Sequence, residues 1–317
     1  IGDVLLDAAK TMPQKFADQP EIRAEIQGLL GTALADLNLH DSAKALRETR
    51  LNELKARAAP RAERMQAQVD LGSILIESAD SKRGVELLEE VIATLDGSSD
   101  SRERLIMAEA LRATAMTKVL RSDGSANGVR DAERSLAFVE ALEPGSRTHA
   151  NALSLLGFAY GHNRNLPKAE EAFERAIAIA KTLPPSERAY EGMVRLRYAE
   201  ILIPRRYHQR ALQQFTEALA VIEQTGGRDS FRWARTAVVM ANLVAVHGDA
   251  PRAFELYQQV MKVYARFGEE LHPGFMTTAQ ALYGANLVDY GRLADGLAMT
   301  RLAYAPYRDV NSKFNAG

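Results

Sequence analysis

Six histidines, His40, His149, His162, His208, His247 and His272, are the side chains of this chain best suited to metal or proton chemistry. No two of them stand three or four residues apart, as two ligands on one helix face would, and no His-Glu-x-x-His run occurs. His162 and His247 fall near the ends of predicted helices, where a positive charge suits the helix dipole. Three carboxylate pairs, Glu89-Glu90, Glu170-Glu171 and Glu269-Glu270, are paired only by adjacency. Neighbours on a helix point about 100° apart, so such a pair neither shares a proton nor flanks a bond, and solvated surface is the better reading. No glycine-rich phosphate loop is present, and Gly226-Gly227-Arg228 reads as a turn. These absences predict no catalytic residue, no metal site and no cofactor in this segment. One charge cluster remains, Arg195, Arg197, Arg205, Arg206, His208 and Arg210. Its arginines are candidates for contact with an anionic partner; the alternative is a solvated helix-pair end with arginine stems lying over apolar surface. The sole tryptophan, Trp233, reads as a packing residue rather than a ligand platform.

Composition narrows the function classes further. Of the 317 residues, 46% are hydrophobic and 26% charged, ordinary values for a folded chain, and the net charge is −1. Such a charge supplies no global field to recruit nucleic acid or anionic membrane. Cysteine is absent, which excludes disulfides and thiol chemistry and leaves the compartment open. The longest apolar run, Ala237 to Val246, is about half of the roughly 20 residues a membrane span needs, and Asn242 interrupts it. The first residue is Ile1, with no leader pattern behind it, which predicts a segment of a longer protein.

The elements that position these residues are set by a repeat. A small or short residue recurs about every forty-two positions, at Gly31, Gly72, Thr114, Gly157, Ala199, Ala241 and Gly284. Another small residue follows each, at Ala43, Gly84, Ala132, Ala169, Ala211, Ala253 and Gly296. Helical periodicity runs nearly end to end and strand signals are missing. Helix starts are predicted at Pro20, Pro60, Ser101, Ser146, Ser186, Asp229 and Pro273, where proline or a capping side chain suits the first turn. Short turns are predicted at Asn38–Asp41, Ser78–Ser81, Asn163–Leu166, His247–Asp249 and Tyr290–Leu293, and a longer loop at Arg121–Gly128. The result is an all-α fold, a solenoid of antiparallel helix pairs: a leading, capping helix over 1–19, then seven hairpins at about 20–59, 60–100, 101–144, 145–184, 185–227, 228–271 and 272–317. Helix A of each pair carries the anchor and helix B the second small residue, because two helices approach closely only where side chains are small.

The fourth hairpin carries Leu156-Gly157, Tyr160, Ala169, Phe173 and Ala176, and the fifth Tyr198-Ala199, Ala211, Phe215 and Ala218. This pattern resembles the tetratricopeptide repeat, in the long-period form typified by kinesin light chain; HEAT and armadillo arrays share the period but lack the residue set. The resemblance implies a right-handed superhelix. At the front, Leu5-Leu6-Asp7-Ala8-Ala9 and Phe16-Ala17-Asp18-Gln19-Pro20-Glu21-Ile22-Arg23-Ala24-Glu25 resemble the segment that leads into the repeats of one bacterial group of serine/threonine protein kinases, and of some winged-helix regulators. The kinase motifs themselves are absent, so any catalysis of such a parent lies outside these residues.

In arrays of this kind helix A lines the inner curve, and a stripe of helix A beside the anchor is predicted to face the groove. It comprises Asn151, Ser154, Phe158 and Gly161; Met193, Leu196, Glu200 and Ile203; Arg235, Val238, Asn242 and Ala245; and Thr278, Ala281 and Ala285. Asn151, Ser154, Glu200, Arg235 and Asn242 would bond an extended peptide, and Phe158 would anchor it. The leading expectation is a protein- or peptide-binding scaffold or sensor. Two alternatives stand beside it: an oligomerisation or spacer arm acting through the terminal repeats, and the repeat region of a transcription regulator.

Overall fold

The structure is a computed structural model that describes residues 2–37, 39–76, 80–120, 125–267 and 273–314. Among them are fifteen α-helices and no strand. The chain forms two compact units, Ile1–Ile179 and Ala180–Gly317. The first unit holds α1 (Gly2–Lys15), α2 (Pro20–Asp36), α3 (His40–Ala56), α4 (Arg61–Ile76), α5 (Ser81–Leu95), α6 (Ser101–Leu120), α7 (Ser125–Leu142), α8 (Arg147–His162) and most of α9 (Leu166–Thr182). The second holds α10 (Ala189–Leu202), α11 (His208–Gly226), α12 (Phe231–Val246), α13 (Ala250–Phe267), α14 (Pro273–Asp289) and α15 (Leu293–Phe314). Within each unit a helix packs on its chain neighbours, and first helices of successive hairpins also touch, as α4 does α6, α6 does α8, and α12 does α14.

Small residues set the crossings. A Cβ on Gly84 of α5 would come within 2.7 Å of the Gly72 carbonyl oxygen of α4, and one on Gly157 of α8 within 2.9 Å of the Phe173 ring of α9. The residue one turn beyond the small residue of helix B fills the space that the anchor leaves, as Leu88 does over Gly72 and Phe173 over Gly157. Phe173, Phe215 and Tyr257 occupy that position in three hairpins, and all are fully buried.

The third hairpin departs from the predicted register. Residues 121–124 of the expected loop lie outside the described residues, and Ser125 to Gly128 are already helix. Gly128 is the close-approach residue, with its Cβ position 3.0 Å from the Ala115 carbonyl oxygen. The crossing therefore uses Ala115 and Gly128, and Ala132 sits one turn further on. The run Ser-Ala-Asn-Gly looks like turn chemistry, but packing overrides that local preference.

Helix starts follow capping chemistry with two corrections. Ser146 Oγ accepts from His149 N at 3.0 Å as predicted. At α12 the cap is Ser230, whose Oγ accepts from Trp233 N at 3.3 Å, while Asp229 pairs with Arg266 at 2.7 Å. Ser186 lies in a short 3₁₀ turn, Pro185–Glu187, ahead of α10. The turns after His162, Val246 and Asp289 are short, as expected, and each contains a left-handed residue: Arg164, Gly248 and Gly291. Arg206 takes the same role between α10 and α11, at φ 63°. Asn38, Ser78, Glu269, Glu270 and His272 lie outside the described residues.

A buried polar position on helix A recurs one turn before the anchor. Gln68 Nε2 donates to Leu87 O at 3.1 Å and to Glu90 Oε2 at 2.8 Å. Arg195 bonds Gln214 Oε1 at 3.0 Å and Glu217 Oε2 at 2.5 Å, the same places on its own helix B. Gln27, fully buried in the first hairpin, has neither amide atom bonded. An unsatisfied buried amide costs about 1–3 kcal/mol, whereas a satisfied one contributes about 1. Gln27→Leu is therefore expected to raise the midpoint of denaturant unfolding and Gln68→Leu to lower it. Equal losses for both would show that the Gln27 amide is bonded in solution.

Candidate functional site

The first unit contains an open cleft of ≈ 410 Å³ between α6 and α8, floored by α7. Helix α6 supplies Arg102, Leu105, Glu109 and Arg112, whose three- and four-residue spacing places them on one face. Helix α7 supplies Ser135, Val139 and Glu143, and α8 supplies Arg147, Thr148 and Asn151. From α4, Gln66 Nε2 donates to Glu109 Oε2 at 2.9 Å and to Asp70 Oδ1 at 3.0 Å, which holds the rim. Ser135 Oγ is committed to Ala108 O at 2.7 Å. Leu105, Ile106 and Val139 give the cleft an apolar floor. Elsewhere arginines are mostly paired: Arg23 with Glu53, Arg50 with Asp70, Arg61 with Glu103. Arg102 and Arg112 have no carboxylate within pairing distance among the described residues, so two guanidinium groups border the cleft ready for an incoming acceptor.

Of the residues predicted from sequence, Asn151 lines this cleft. Ser154 does not face it; it is fully buried. Leu196 and Val238 hold the same position on their helices and are buried too, and Gly161 and Ala245 close the other edge. Burial of the positions three before and four after the anchor narrows the predicted stripe to two positions seven residues apart. Those are Asn151 and Phe158 in the fourth hairpin, and Arg235 and Asn242 on α12. Phe158 is half-buried, its ring 4.3 Å from that of His162.

In the second unit the accessible stripe is charged. Glu200 of α10 is half-buried, and burial pushes its carboxyl above the ordinary carboxylate range while Arg235 and Arg197 pull it back. Arg235 is exposed on α12. Asn242 Oδ1 accepts from Asn286 Nδ2 at 3.1 Å, and Asn286, buried on α14, also donates to Tyr257 Oη at 3.0 Å. Tyr257 in turn stacks on Tyr283 at 4.9 Å, so Asn242 is oriented by a buried network. Burial pushes the phenols of Tyr257 and Tyr264 up, the latter to about 12.

The arginine cluster does not form one anion site. Arg195 is buried between Glu191, at 2.8 Å, and Glu217. Arg205 Nη1 donates to Ile201 O at 2.5 Å, Arg206 is the left-handed turn residue, and Arg210 donates to Tyr198 Oη at 2.8 Å. Arg197 remains beside Glu200. The structure does join two histidines that the sequence keeps far apart: the rings of His208 and His247 lie 4.4 Å apart. Both stand at the same end of consecutive hairpins, which the repeat period would have revealed. No group of three or more metal-ligating side chains occurs among the described residues. No helix there is long and apolar enough to cross a membrane. Trp233 is buried, at the floor of a second cavity of ≈ 350 Å³ between α11, α12 and α13.

The family model of a tetratricopeptide repeat matches residues 149–183, the hairpin of α8 and α9. No curated protein matches the sequence at a significant level. Among solved structures, BtubC (BKLC) of P. vanneervenii is similar over 80% of this chain and 93% of its own, at 19% identity and a TM-score of 0.58. A putative kinesin light chain of Podosopora anserina with nearly identical TPR-like repeats is similar over 62% of this chain and 95% of its own, at 19% identity and a TM-score of 0.51. The apo form of RapI is similar over 91% and 99%, at 9% identity and a TM-score of 0.60. Residues 149–183 are thus a tetratricopeptide repeat, and the fold is the all-α, kinesin-light-chain-like hairpin array of such proteins.

The charge arrangement at Glu200 has a measurable consequence. Its folded-state pKa is raised above the ordinary 4.5, so its contribution to stability is fully present below that value and is lost as pH rises through the folded value. Arg235→Ala removes the largest opposing influence. The Glu200 titration followed by carboxyl NMR is expected to move further up; a downward move or no change would show that Arg235 does not face it.

Proposed function

We propose that this chain is a protein-interaction scaffold that holds an extended peptide segment against the first helices of its hairpins. The observation that carries this reading is the α6–α7–α8 cleft: an apolar floor bordered by Arg102 and Arg112, with Gln66 and Asn151 at its polar rim. An apolar floor takes a side chain, guanidinium groups take acceptors, and the Gln66 amide, whose Nε2 is spent on Glu109 and Asp70, keeps its Oε1 to accept from a peptide N–H. Arg235, Asn242 and Phe158 supply further contacts of the same kind on their own helices. The tetratricopeptide repeat at 149–183 and the hairpin-array fold support binding rather than catalysis. The leading segment, Leu5 to Ala9 and Phe16 to Glu25, supports a larger signalling protein as the parent, with a serine/threonine kinase domain outside these residues.

Peptides selected against the intact chain from a random library test the cleft. Arg102→Ala and Arg112→Ala are each expected to weaken the selected peptides by about tenfold or more, which is about 1.4 kcal/mol. Arg235→Ala and Asn242→Ala report on the second unit in the same assay. Unchanged affinity in all four variants would remove the first-helix face as the binding surface.

A further inference from the structure

A buried histidine is built into the wall of the cleft. His149 lies in the first turn of α8 and is 6% exposed. Its Nδ1 accepts from Gly145 N at 3.0 Å, so the ring is neutral and carries its proton on Nε2. Nε2 is buried with no hydrogen-bond partner, and Glu140 Oε1 of α7 stops 3.8 Å away. Glu140 is itself held by Arg175 Nη2 of α9 at 2.6 Å.

The bond to Gly145 fastens the turn between α7 and α8. Gly145 is left-handed, at φ 75°, and nothing lies within 4 Å of its Cβ position, so packing around that atom does not hold it. Beside it, Ser146 N donates to Glu143 O at 3.2 Å and His149 N donates to Ser146 Oγ at 3.0 Å. The same turn carries Glu143, Arg147 and Thr148 into the lining of the cleft.

A second proton has no place in this arrangement. On Nδ1 it would point at the Gly145 N–H, donor against donor. The resulting cation would sit at the positive end of the α8 dipole. The charged groups that face it are Glu140 of α7, which attracts it but is half-exposed and already paired, and Arg175 of α9, which repels it. Arg147, on its own helix, lines the cleft instead. Burial is the largest influence on the ring and holds its pKa below the ordinary 6.5. The neutral ring therefore contributes stability that is present above 6.5 and is lost as pH falls from there through the folded value.

We propose that His149 is an acid-sensitive latch on the cleft: neutral, it clasps Gly145 and fixes the α7–α8 turn; doubly protonated, it releases that turn and the part of the cleft wall the turn carries. The consequence for a bound peptide rests on the function proposed above, whereas the latch itself does not.

Amide hydrogen exchange of Gly145 in the intact chain, corrected for the intrinsic pH dependence of exchange, reads the latch directly. Its protection is expected to hold above pH 6.5 and to fall by about tenfold for each pH unit below the folded value, while buried Leu155, further along α8, keeps its own. His149→Asn puts a carbonyl oxygen that does not titrate near the place of Nδ1, and should keep Gly145 protected across the range. Glu140→Gln removes the one attraction for the cation and should move the loss to lower pH, which keeps the latch testable should His149→Asn misfold. Peptides selected against the chain should lose affinity in acid with the wild type and keep it with His149→Asn. Gly145 protection that is flat with pH in the wild type overturns the latch. So does an equal fall in His149→Asn, or an unshifted one in Glu140→Gln. A latch that responds as described while Arg102→Ala and Arg112→Ala leave peptide binding untouched overturns only the reading of the cleft as a peptide site.

Discussion

Everything in this structure depends on the closeness of approach between the two helices of a hairpin. Gly72 facing Gly84, and Gly157 under Phe173, leave no room for even one methyl group. That intimacy lets a single bulky side chain on helix B fill the space over the anchor. It also fixes how each hairpin presents its remaining faces. With the A–B crossing set, α4 meets α6, α6 meets α8 and α12 meets α14, and only a narrow strip of each stays open to solvent. The cleft and the accessible residues are both consequences of where that crossing falls. A hydrophobic core distributed this way stabilises each unit through neighbours in sequence rather than through a shared centre.

Much of this was legible in the sequence because the signal repeats. Helix periodicity, the small residues and the short turns report on one another. Asn151 was found because it sits at a fixed distance from Gly157. Failures occurred where two local signals competed or where a neighbour decided. Ser125 to Gly128 has loop composition, yet Gly128 is needed at a helix crossing. Ser186 resembles a helix cap but belongs to a 3₁₀ turn set between Pro184 and α10. Ser154 is polar yet fully buried, a fact one hairpin's pattern does not contain.

The charged residues teach a related lesson. Arg195, Arg205 and Arg210 crowd together in the sequence, but each is engaged locally, by a carboxylate, a carbonyl or a phenol, while Arg206 sets a left-handed turn and exposes its side chain. Arg102 and Arg112, separated by three turns of a helix, have no carboxylate partner among the described residues and share one cleft. Density of charge along a chain is a weaker guide to an anion-accepting surface than the list of groups already engaged.

The placement of Trp233 gives this protein a built-in reporter of regional unfolding. The chain has one indole, and it is buried among α11, α12 and α13, wholly within Ala180–Gly317. Its emission is therefore sensitive to the packing of that unit alone, whereas far-ultraviolet dichroism averages over every helix. Divergence of the two signals during melting would separate the cooperativity of the C-terminal hairpins from that of the hairpins before them, without any added label.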